Sequence, residues 1–152
     1  MIPELFLAAF MFLQDPPPPP PAYMQKTVSG ITVDDVDLEE NPNGAMRMTL
    51  WVDRGFLTLA TVDGITLVEG TGWLDTRVVF TGKLAQVNAA MATVTYTMSS
   101  RTDVGTALLT INANDQGFTG LGGPLEVTRT VSIPLPKINQ PPVLTVPAGP
   151  DE

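Results

Sequence analysis

FTGKLAQVNAAMATVTYT, Phe80 to Thr97, changes its hydrophobic period twice. Phe80 and Gly82 close a strand. Leu84, Val87 and Met91 then recur at helical spacing, with Ala85, Ala89, Ala90 and Ala92 filling the turns. Val94 and Tyr96 resume the alternation of a half-buried strand. The rest of the chain carries β signals. One short helix in that setting predicts a crossover between the two sheets of a sandwich.

Strands are expected on both sides of this stretch. Val28 to Val33 alternates as VSGITV. Asp34 to Gly44, DDVDLEENPNG, reads as an acidic, turn-rich loop. Met46, Met48, Leu50 and Val52 share one strand face. Asp53-Arg54-Gly55 is the expected turn of a hairpin joining Met46–Val52 to a strand at Phe56 to Ala60. Asp63-Gly64 turns the chain into Ile65 to Val68. Gly70 to Asp75 is a loop, and Arg77 to Thr81 is a strand. After the helix, strands are expected at Thr93 to Met98 and Ala107 to Ala113. Gln116 to Pro124 is a glycine-rich loop. Glu126 to Ile133 is the last long strand, with Pro134 and Pro136 expected to stop it. Many short strands with regular turn signals predict an all-β antiparallel sandwich, because a parallel sheet needs repeated long helices.

Composition narrows the function. The 152 residues suffice for one domain with a real core. Asp and Glu number 16 against 8 Lys and Arg, a formal net charge of -8. Nucleic acid, which demands a basic surface, is therefore not an expected partner. Cysteine and histidine are both absent. Disulfides, Cys/His zinc sites and Cys- or His-based nucleophilic catalysis are excluded with them.

Both ends look unlike the body. Residues 1–22 join an apolar segment, IPELFLAAFMFL, to an unbroken proline run from Pro16 to Pro21. The segment is too short to span a bilayer as a helix, and Glu4 stands where a secretory signal would be basic. The proline run must form a polyproline II rod, since each ring fixes φ and removes a donor. The body covers residues 23–137. Residues 138–152 form a proline-rich joint and tail, with a short strand expected at Val143 to Val146. Leu5, Phe6, Phe10 and Phe12, the rod from Pro16 to Pro21, and Val143, Leu144 and Val146 are the expected contacts with a neighbouring module or subunit.

Several stretches, taken in order, resemble the bacterial cadherin-like, immunoglobulin-like tandem repeats of large surface adhesins and extracellular matrix proteins. They are SGITVDDVDLEE (29–40), MRMTLWVDRGFLTLA (46–60), VVFTGKLAQVNAAMATVTYT (78–97) and GTALLTINANDQGFTGLGG (105–123), closed by VTRTVSIPL and INQPPVLTV. The resemblance spans Gln25 to Val146. It implies an extracellular or cell-surface module, stiffened by calcium, and no catalysis.

Calcium takes several oxygen ligands on a flexible loop. Asp34, Asp35 and Asp37 at one strand end, and Asn114 and Asp115 at another, are the candidate ligands, within an acidic run that continues to Glu39 and Glu40. The same acids read as a glycosidase pair would need a cleft and aromatic platforms. They sit in one exposed run, and no assembled triad or nucleotide motif accompanies them, so an enzyme is not expected. Trp73, in its Gly-rich loop, is the best-exposed aromatic and the candidate platform of an alternative carbohydrate-binding module. Trp51 alternates against Leu50 and Val52 and so faces away from them. The expected function is structural. Copies of the chain, or adjacent repeats, build a filament, appendage or adhesin stalk by docking their ends on one another, without crossing a membrane.

Overall fold

The computed structural model describes residues 18–118 and 121–149. A 3-10 turn at Ala22–Met24 leads into eight strands and two α-helices: β1 (Gln25–Ser29), α1 (Val36–Glu40), β2 (Met46–Val52), β3 (Phe56–Thr58), β4 (Thr66–Glu69), β5 (Arg77–Gly82), α2 (Leu84–Met91), β6 (Thr93–Thr97), β7 (Gly105–Asn114) and β8 (Glu126–Leu135). The strands form two antiparallel sheets, a three-stranded one ordered β1-β6-β3 and a five-stranded one ordered β4-β5-β2-β7-β8.

The core lies between these sheets. Alternation along β2 sends Met46, Met48, Leu50 and Val52 inward. Val78 and Phe80 of β5, and Leu109 of β7, extend that face. The smaller sheet answers with Leu57, Val94 and Tyr96. As its period foretells, α2 carries the chain from β5 in one sheet to β6 in the other. Its Leu84, Val87, Ala90 and Met91 are all buried, which closes the core at that point. Trp51 faces away from the core, half-buried, with the Arg77 guanidinium 5.6 Å from its ring centroid.

Five local expectations need correction. β2 and β3 are not a hairpin, because they belong to different sheets. Both present apolar residues to the same core, and the Asp53-Arg54-Gly55 turn swings the chain across to the facing sheet. Gly55 makes this passage at φ 81°, against the carbonyl of Thr97. The acidic loop contains a helix, α1. The Asp35 carboxylate caps it by accepting from the amides of Asp37 (3.1 Å) and Leu38 (3.2 Å), and Leu38 anchors it in the core. Pro134 does not stop β8, which runs on to Leu135. β8 is an edge strand, where a missing N–H costs little. Val143 to Val146 joins neither sheet. The first strand is also displaced: β1 occupies 25–29, and Gly30, at φ 81°, turns residues 30–33 out of the sheet.

The apolar segment and its candidate contacts Leu5, Phe6, Phe10, Phe12 and Pro16 lie outside the described residues.

Candidate functional site

Three surfaces were legible as candidates. The first is the acidic end. The fold brings Asp34, Asp35, Asp37 and Asp115 to the rim of one cavity of about 260 Å³. Glu126 joins them, through its register opposite Asn114 in the β7–β8 ladder. No sequence spacing could have revealed Glu126, because ladder register places it there.

These carboxylates already have structural tasks. Asp35 caps α1. Asp115 is buried, and its Oδ1 accepts from the amides of Gly117 (2.9 Å) and Leu125 (2.8 Å), pinching together the two ends of the glycine-rich loop. Asn114 Oδ1 accepts from the amide of Gln116 at 2.7 Å. Asp34 and Asp37 are exposed on the rim. Among the described residues no group of three or more acidic side chains is placed to hold a metal ion. Four of the five expected ligands therefore share a mouth, with Asn114 outside its lining, and they form no coordination shell in this conformation.

The second surface is the Trp73 loop. Trp73 is 50% exposed, and the backbone beneath it is fixed. The Asp75 carboxylate accepts from the amides of Thr71 (3.0 Å) and Gly72 (2.7 Å). The Thr71 hydroxyl donates to the Trp73 carbonyl at 3.0 Å. Leu74 takes a left-handed φ of 52°, held by its amide donating to the Thr58 hydroxyl at 3.1 Å. Leu57 and Asp75 exchange backbone hydrogen bonds of 2.7 and 2.9 Å, so the loop laces the β3 edge to the opposite sheet.

The third surface is the opposite side of the sandwich, which no sequence pattern marks. β1 and β8 are both sheet edges there. Among the described residues no backbone hydrogen bond joins them. Two adjoining cavities of about 330 and 340 Å³ open between their lips. One lip is held by a side chain from α2. Asn88 Oδ1 accepts from the Val33 amide and its Nδ2 donates to the Val33 carbonyl, both at 2.9 Å. The amide group thus substitutes for a neighbouring strand.

Of the expected partner contacts, Val143, Leu144 and Val146 are 92%, 87% and 70% exposed, and Pro21 is exposed where the rod meets the body. Among the described residues no helix is long and apolar enough to cross a membrane. No family model, no curated protein and no solved structure matches this chain.

Proposed function

We infer that the chain is a structural module of the cell surface or extracellular space, which assembles with copies of itself through its ends. The observation that carries this reading is the tail. Val143, Leu144 and Val146 stand largely in water, each more exposed than any large apolar side chain of the eight strands. Apolar residues clustered in this way mark a contact surface. A head-to-tail contact whose rotation does not close into a ring propagates as a fibre. A proline run in the polyproline II form supplies a stiff spacer of about 3 Å per residue between beads.

The test removes each end in turn. Chains lacking residues 1–21, or lacking 138–152, are compared with the full chain by light scattering and electron microscopy. Loss of assembly in either truncation supports the reading. Assembly unchanged in both refutes it. Calcium belongs to this proposal as a stiffener of the acidic mouth. A thermal melt in saturating calcium against one in chelator decides it, since a bound ion must raise Tm and an unbound one must not.

A second reading rests on the Trp73 loop. An exposed aromatic residue on a loop whose backbone is fixed by these hydrogen bonds suits a stacking platform for a sugar. Glycan binding abolished by Trp73→Ala would favour a carbohydrate-binding module. Binding unaffected by that change would remove Trp73 from the account.

A further inference from the structure

We propose that the open side between β1 and β8 is the acceptor for the Val143–Val146 segment of a second copy, which enters as an added strand. This rests on the assembly reading above and names both of its contact surfaces.

The gap has the shape of a missing strand. Residues 26–33 form one lip and 127–134 the other, running antiparallel across the opening. The β8 lip, residues 127–134, is about 26 Å long at roughly 3.3 Å per residue. Val28, Ile31 and Val33 line one side; Val127 and Val131 line the other, over a floor of Met48 and Ile111. Val28, Ile31, Val33, Ile111 and Val131 are only partly buried against the core, and Val127 is 45% exposed. The facing edge of the sandwich, at β3, has its backbone groups taken up by Asp75 and Gly72. Among the described residues only the β1–β8 side leaves two unpaired edges over an apolar floor, the arrangement that β-strand addition uses.

The donor is on the same chain. Val143 to Val146 has no proline among its four residues, so every N–H is free to pair. Leu144 and Val146 would share one face of a strand. The segment does not fill its own groove. Beyond β8, Gln140 donates to the Arg101 carbonyl at 2.7 Å and ties the joint to the loop between β6 and β7, Pro141 and Pro142 stiffen it there, and Val143, Leu144 and Val146 remain exposed. A second copy is therefore the acceptor. Charge sets the direction. The residues lining the two cavities include Lys26 and Arg129 and no acid, although the chain holds 16 acids. Asp34, Asp35 and Asp37 lie just past the Val33 end. The donor ends in Asp151 and Glu152. It is steered with that end toward Lys26, which makes it antiparallel to β1 and parallel to β8.

The absence of native cysteine allows a clean test on the full chain. Ser29→Cys, exposed on the groove lip, is mixed with Leu144→Cys under mild oxidation. The proposal expects a disulfide dimer from this mixture and none when Val62→Cys replaces Ser29→Cys. Leu144→Asp with Val146→Asp should abolish multimers in sedimentation and leave Tm unchanged, because both side chains are exposed. Multimers that survive this double substitution overturn the groove assignment and leave the assembly reading standing. A crosslink from Ser29→Cys to Leu7→Cys would assign the groove to the N-terminal segment and overturn it equally. A wild-type chain that is monomeric at every concentration overturns both.

Discussion

Tyr96 is the largest fully buried side chain of the core, and it carries a hydroxyl into it. Its ring is fully buried, and among the described residues its hydroxyl finds no hydrogen-bond partner. Burial pushes its pKa above the ordinary 10.0, and the carboxylates of Asp103 and Asp53 add to the rise. The folded state therefore holds this proton more tightly than the unfolded chain. The associated stability is complete below pH 10.0 and is lost as pH climbs through the folded value. Tyr96→Phe removes an unsatisfied hydroxyl, so it should match or exceed wild-type stability, within about 1 kcal/mol. Its melting curves should also fall less steeply above pH 10.0. A large loss of stability at neutral pH would show that the hydroxyl has a partner. Gly55 makes the complementary case. A methyl there would lie 2.5 Å from the Thr97 carbonyl oxygen, at a φ of 81°. Gly55→Ala should cost at least about 1–3 kcal/mol in denaturant unfolding from the backbone conformation alone. A cost near zero would mean the turn can relax without consequence. The sequence announced a turn at Gly55 but not its contact with β6, because that contact is between residues far apart in the chain.

At the scale of elements, the crossover helix was legible and its key polar residue was not. The period of Leu84, Val87 and Met91 located α2, and all three are buried as that period requires. Asn88 gave no periodic signal, yet it clamps Val33, 55 positions away. Asn88→Ala leaves the Val33 N–H and C=O unpaired, at an expected cost of about 1–3 kcal/mol. Hydrogen exchange at the Val33 amide should accelerate far more than exchange in β2. Equal protection in the two variants would show that the lip is held by other contacts. The mistaken hairpin has a similar origin. Alternation reports which residues face a core, and β2 and β3 do face one core, but from opposite sheets. Only the geometry of the intervening turn separates these arrangements. The Asp35 cap of α1 was readable in principle, as an Asp followed by Asp37 and Glu39 in a first turn. The density of acidic residues drew attention to metal ligation instead.

The whole molecule is a sandwich laced on one side and open on the other, with an apolar tail that its own body leaves uncovered. The sequence marked the tail as a contact element through its proline joint and its short apolar run. It could not mark the acceptor, because an empty place between two edges is a property of the strand order. The account holds that β1–β8 openings and tails match between copies, so mass should grow with concentration and depend on the tail. Sedimentation velocity of the full chain over a wide concentration series tests this most directly. Species heavier than a dimer that increase with concentration, and that vanish when Leu144 and Val146 are both replaced by Asp, are the predicted result. A single monomer boundary at every concentration would contradict it.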